Sequence, residues 1–252
     1  FGKEFADRLG DKITSADFLD CFEGIVKDKT KRIALAFHSL KTFENWCSSA
    51  DGGPNFQHIK DNSLVAIQTG EITAEGVIKG ALVILKAMRE STTHPFSHSL
   101  YLKMFQLSKP VLDFDTIMVD EAQDLNPVVQ AILDNQNCEI VKVGDPHQSI
   151  YEFRGAVNAL NDGRDAAYYW LTQTYRFGDN LAQMATKILK QFKGVERPLV
   201  GYGDDVAIDD FETDTPEFRE MRRQPLYLMR TKAGIIDLLS GWIDNEHNRN
   251  KT

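Results

Sequence analysis

"DTIMVDEAQD" at 115–124 and "CEIVKVGDPHQSIYEFRGA" at 138–156 decide how this chain folds. Each opens on a short aliphatic run and closes on acids: Asp120 and Glu121 in the first, Asp145 in the second. Between them, "NPVVQAILDNQ" at 126–136 offers Asn126 as a helix cap and Pro127 at the first helical position, where a missing N–H costs little. Strand, helix and strand in this rhythm predict an α/β sheet with parallel strands of the fully buried type. Ligands of such sheets sit beyond the carboxyl ends of the strands. Asp120, Glu121, Gly144 and Asp145 all fall there.

Upstream, residues 1–110 read as mostly helical. Ser15 is a candidate N-cap for "ADFLDCFEGIVKDK", with Phe18, Phe22 and Ile25 at helical spacing. "FHSLKTFENWCSS" sets Phe37, Leu40, Phe43 and Trp46 three residues apart, and "DGGPN" at 51–55 is a turn. "AEGVIKGALVILKAMRES" predicts a buried helix, and "SHSLYLKMFQLS" a shorter one stopped by Pro110. Downstream, "AAYYWLTQTYRFG" predicts a third strand and "NLAQMATKILKQF" a helix. "GDDVAIDDFETDTPE" reads as a solvated acidic connection, and "QPLYLMRTKAGIIDLLSGWI" as strand then helix.

Composition removes some classes and leaves others. The formal net charge of −8 argues against a generally basic nucleic-acid coat, though a local track needs only local charge. The three cysteines are widely spaced with no CxxC pair, which argues against a zinc motif and a disulfide framework and fits a reducing, intracellular setting. The histidines draw no metal reading; His38, in "AFHSL", reads as structural. The longest apolar run, at 80–85, is too short to span a bilayer. With Phe at position 1, the chain reads as an excerpt of something longer.

The motifs carry a definite chemistry. A carboxylate ending a hydrophobic strand can hold Mg²⁺ through water, and the next can orient or deprotonate an attacking water. Asp120 suits the metal, and Glu121 the water with a second, water-mediated link to the metal. Gln148 is an uncharged group able to sense a terminal phosphate. Tyr151 and Phe153 are aromatics in a polar loop, suited to stacking on unpaired bases, with core packing as the plainer alternative. Arg154 can pair with an acid of "DEAQD", notably Asp124, coupling nucleotide state to that platform. In "LTQTYRFG", Tyr175 can stack on a nucleotide base and Arg176 can reach a transferring phosphoryl group; both could instead be packing residues.

"VDEAQD", "VGDPHQSIYEFRGA" and "TQTYRFG", in this order and spacing, resemble motifs II, III and IV of UvrD-like superfamily 1 helicases. "YLKMFQLSKP", "VGDPHQSIYEFRGAVNAL" and "LTQTYRFG" resemble the F-box DNA helicase branch in particular, as does "SLKTFENWCSSAD". The resemblance is strong over 98–178. It implies a RecA-like (P-loop NTPase) parallel sheet with a helical insertion, plus part of a second RecA-like domain. Residues 1–110 would be the mainly helical part of the first domain, 111–166 its Walker B and motif III portion, and 167–252 the start of the second. It also implies ATP and Mg²⁺ as cofactors, single-stranded DNA as partner, and 3′-to-5′ translocation with unwinding in recombination or repair. Its site residues would be Asp120 and Glu121 at Mg²⁺, Gln148 and Arg176 at the γ-phosphate, Tyr175 at adenine, and Tyr151 and Phe153 on DNA. "LYLMRT" at 226–231 is similar to the strand that follows motif IV.

The pattern also departs from that family. No glycine-rich loop ending in Lys-Thr or Lys-Ser occurs in the 252 residues, and motifs V and VI are missing. The chain alone is therefore expected to be inactive as an ATPase, since loss of preorganised phosphate contacts costs about 10²–10³ in rate or more. The rival reading is a short homologue that binds nucleic acid or a partner protein without hydrolysing ATP. A metal-dependent nuclease would need further carboxylates and a Lys or His around the acids. Localisation is expected in cytoplasm or nucleoid for a prokaryotic or viral source, and in the nucleus for a eukaryotic one.

Overall fold

The computed structural model describes residues 6–10, 12–149, 160, 166–205, 233–237 and 239–240. The chain divides into two compact units, Phe1–Ala167 and Tyr168–Thr252. It is an α/β protein whose described strands form three short parallel pairs. No helix among the described residues is long and apolar enough to cross a membrane.

The first unit is built on helices. α1 (Lys29–Cys47) starts where the Asp28 carboxylate accepts the Lys31 N–H, and α3 (Ala74–Glu90) where Thr73 accepts the Gly76 N–H. Between them lies the short α2 (Asn62–Gln68). α1 buries Leu35, Ala36, Leu40, Phe43 and Trp46; α3 buries Val77, Ala81, Ile84 and Met88. Each set lies on one face, at spacings of three and four, so the two helices pack chiefly on each other. Gly80 lies in this contact: a Cβ there would overlap Ser39 Oγ and stand 2.9 Å from the Phe22 ring.

The segment expected as a helix from Ser15 is instead a 3₁₀ helix, Ser15–Phe22, capped by Thr14 in a reciprocal box with Asp17. Phe18 and Phe22 enter the core as expected, but Ile25 lies beyond that helix and is 56% exposed. β1 (Leu9–Gly10) pairs with β2 (Phe96–Ser97), which leads into α4 (His98–Leu107), capped by Ser97. Lys103 on α4 is fully buried; its ammonium donates to Ser49 O at 2.9 Å and Gln106 Oε1 at 2.8 Å, over the Trp46 ring.

The site-bearing part follows. β3 (Thr116–Val119) pairs in parallel with β4 (Glu139–Lys142), Thr116 opposite Glu139 and Val119 opposite Lys142. α5 (Pro127–Asp134) connects them, with Asn126 Oδ1 accepting the Val129 N–H and Pro127 opening the helix. The strands are not buried on both faces: Met118 is 74% exposed while Ile117 and Val119 are half-buried. Among the described residues this sheet has only two strands, so one side of the pleat keeps little cover.

In the second unit the strand expected over 166–178 contracts to β5 (Gln173–Thr174), paired with β6 (Val200–Gly201). Tyr168, Tyr169, Trp170 and Leu171 are exposed, with the Arg197 guanidinium over the Trp170 ring. α6 (Asp179–Lys193) lies between these strands. Asp205, in the acidic stretch, accepts the Asn180 N–H at the start of α6. The rest of that stretch from 206, the "LYLMRT" strand, and Tyr151, Phe153 and Arg154 lie outside the described residues.

Candidate functional site

β3 and β4 end together, and the chain keeps pairing past both. The Val143 N–H donates to Val119 O at 2.8 Å and the Ala122 N–H to Val143 O at 2.9 Å. This rung holds "DEAQD" against "VGD". Glu121 sits in the left-handed region, φ 50 and ψ 43, which turns the chain sharply off β3 into a 3₁₀ turn at Ala122–Asp124. The turn leaves Asp120 and Glu121 exposed at the strand end and folds Gln123 inward, only 1% exposed.

Gln123 is the hub of the site. Its Nε2 donates to Glu121 Oε2 at 2.6 Å, and its Oε1 accepts the Asp145 N–H at 3.1 Å. Asp145 in turn accepts the His147 N–H on Oδ1 at 2.9 Å and Gln148 Nε2 on Oδ2 at 2.8 Å. One hydrogen-bonded line thus runs Glu121–Gln123–Asp145–Gln148. It brings together two of the expected catalytic side chains, Glu121 and Gln148, through two residues outside the expected set. Gly144 is required here, because a Cβ would overlap Gln123 Oε1 and lie 3.0 Å from the Ala122 nitrogen.

Asp120 Oδ1 accepts the Glu121 N–H at 2.9 Å, which fixes its carboxylate at the tip. The donors here are exposed carboxylate oxygens, a set that suits a hard cation carrying its own waters. Asp120, Glu121 and Asp145 do not converge as a three-ligand cluster. The described residues therefore form no all-protein cage for a cation here. Asp124 Oδ1 is buried and has no hydrogen-bond partner among the described residues.

In the second unit, Tyr175 and Arg176 follow β5 directly and are exposed. The Arg176 N–H donates to Thr174 Oγ1 at 3.3 Å, and the Tyr175 ring meets Tyr202 edge-on at 5.4 Å. Both lie at the carboxyl end of a parallel strand, as Asp120 and Glu121 do in the first unit.

Gln123 was legible only in hindsight, as a lone uncharged amide between two acids in "DEAQD". A second group had no sequence signal at all: Asp20, Cys21 and His94 come together although Cys21 and His94 are 73 residues apart.

Residues 89–163 match the model of the UvrD/REP helicase N-terminal domain. The chain is 50% identical over 103 residues to F-box DNA helicase 1 of Gallus gallus, covering 40% of this chain and 10% of that protein. It is 30% identical over 179 residues to F-box DNA helicase protein 1 of Schizosaccharomyces pombe, 69% of this chain and 20% of the relative. A probable DNA helicase II homolog of Mycoplasma genitalium is 30% identical over 94 residues, 33% of this chain and 13% of the relative. The matched region spans a fifth or less of each of these relatives. The resemblance read from the three motifs is thus borne out: the chain is similar to UvrD-type helicases and to F-box DNA helicases among them.

Proposed function

We propose that these 252 residues carry the hydrolytic and coupling motifs of an ATP-dependent DNA helicase. The line Glu121–Gln123–Asp145–Gln148 carries this reading. It ties an acid able to activate water to an amide able to sense a terminal phosphate, and Gln148 shortly precedes Tyr151 and Phe153 in sequence. β3 and β4 are then two strands of a RecA-like sheet, and β5 opens a second such domain.

In this proposal Asp120 would hold Mg²⁺. The ion, bound with ATP, would neutralise charge developing on the phosphates. Glu121 Oε2 is occupied by Gln123, which leaves Oε1 to accept a proton from the attacking water. Gln148 reads the γ-phosphate, and Arg176 and Tyr175 supply a charge and a stacking ring from the second domain. Gln148 is bonded to Asp145 and precedes Tyr151 and Phe153 in sequence, and by this coupling phosphate state reaches those two residues on single-stranded DNA. The buried Asp124 Oδ1 is the natural partner for Arg154 in that coupling. Translocation runs 3′ to 5′ and serves recombination or repair, in the cytoplasm or nucleoid of a prokaryotic or viral source and in the nucleus of a eukaryotic one. Phosphate binding itself needs a glycine-rich loop that these residues do not contain.

The test is Glu121→Gln in the full-length protein that contains this segment. DNA-stimulated ATP hydrolysis should fall at least about 10²-fold, the usual share of a general base, with ATP affinity within a few-fold of wild type. Retained turnover would remove Glu121 from the chemistry. Single-strand binding with no ATP turnover in the wild-type protein would favour the non-hydrolysing homologue.

A further inference from the structure

Far along the chain from β3 and β4, the 3₁₀ helix Ser15–Phe22 meets the link between α3 and β2. Both Asp20 carboxylate oxygens stand 3.1 Å from His94 Nε2, and Cys21 Sγ stands 3.4 Å from the same atom. All three donor atoms lie within 4.8 Å of one another, and no other such group of three or more occurs among the described residues. Two potential ligands, Asp20 and Cys21, therefore face the third, a ring nitrogen that can offer only one proton or one lone pair.

We infer that Asp20, Cys21 and His94 form a binding site for Zn²⁺, with its fourth position open to the neighbouring cavity. Nitrogen and sulfur donors select a borderline-soft ion over Mg²⁺ or Ca²⁺. With bonds of about 2.0–2.3 Å, tetrahedral zinc sets its ligands roughly 3.3–3.7 Å apart, so the two contacts to His94 Nε2 need to open by only a few tenths of an ångström. The cavity measures about 350 Å³ and is lined by Lys86, Glu90 and Ser91 besides Cys21 and His94, which leaves room for a water as fourth ligand. The imidazole is already held, stacked on Phe18 at 5.6 Å and 8° between planes, with Nδ1 2.8 Å from Ser91 Oγ.

The proton balance closes. On binding, the Cys21 thiol gives one proton to solvent. A neutral imidazole binds zinc through Nε2 with its proton on Nδ1, where it shares Ser91 Oγ with the Thr93 and His94 N–H groups. Ser91 can then turn its own hydrogen to Thr93 Oγ1, 3.1 Å away. Without the ion, burial and the Asp20 charge push the Cys21 thiol up to about 11, which excludes a thiolate nucleophile at neutral pH. The site would clasp the 3₁₀ helix to the far end of α3, closing a long loop around the helical core.

Cobalt(II) and zinc titrations of the whole 252-residue chain test this. One cobalt per chain should bind with a thiolate-to-metal charge-transfer band that zinc abolishes. Zinc at about a hundredfold above its Kd should raise Tm by about 5–10 °C. Cys21→Ser should erase the band, while Cys138→Ser should keep it. Asp20→Asn, at an exposed position, keeps the shape and should weaken zinc binding at least about 10-fold. Absence of one-to-one binding, survival of the band in Cys21→Ser, or unchanged affinity in folded Asp20→Asn each overturns the site.

Discussion

Gln123 shows how much a single side chain can decide. It is buried, yet both ends of its amide are used, one by the Glu121 carboxylate and one by the Asp145 N–H. Gln123→Leu keeps roughly the volume but strips both partners. An unsatisfied buried N–H costs about 1–3 kcal/mol, so the midpoint of urea unfolding should drop by that equivalent. An unchanged midpoint would mean that water replaces the amide and that Gln123 is no hub. Two buried histidines make a separate, pH-dependent contribution. His58 accepts the Asn55 N–H on Nδ1 while Asp51 and Ser49 meet its Nε2, and His38 meets Ser63 Oγ. Burial lowers both pKa values, outweighing Asp51 for His58, where Lys103 adds to the lowering, and Glu71 for His38. The unfolded chain then binds protons more readily than the folded one. Stability is complete above the unfolded value of about 6.5 and falls as pH drops through it toward the folded values. Urea midpoints between pH 7.5 and 5 should show this slope, and His58→Gln should flatten it. An equal slope in the variant would rule His58 out as a source.

At the scale of elements, the α1–α3 contact is the most extensive one among the described residues. Gly80 and Ser39 set how close the helices come. Alanine in place of a helical glycine would normally gain up to about 1 kcal/mol. Here the added methyl must displace Ser39 Oγ and the Phe22 ring, at about 1–3 kcal/mol, so overpacking wins. Gly80→Ala should lower Tm, and adding Ser39→Ala should recover part of the loss. A stabilised single variant would show that the helices part easily. The β3–β4 pair contrasts with this contact. It is held by a short ladder and an extra rung past each strand, with Met118 left exposed. A continuous aliphatic run reads the same whether one or both faces of a strand are covered, so sequence pattern alone set too much burial on it.

At the scale of the whole molecule, the two units place their candidate site residues by the same device, at the carboxyl ends of parallel strands. Asp120, Glu121 and Gln148 belong to the first unit, and Tyr175 and Arg176 to the second. The zinc clasp proposed for the helical part lies apart from this chemistry, and its test stands whether or not Glu121 is the base.

The sequence by itself determined the strand–helix–strand unit, the Asn126–Pro127 helix start, the acids at the strand ends and the family resemblance. All of these are local: periodicity, caps and contiguous motifs fix them within a dozen residues. Only the tertiary structure decided that Gln123 joins Glu121 to Asp145, that Gly80 admits Ser39, and that Asp20 and Cys21 meet His94. Apart from the short Gln123–Glu121 bond, those contacts join residues distant in sequence, and no local pattern records which distant partner the packing will bring within hydrogen-bond reach.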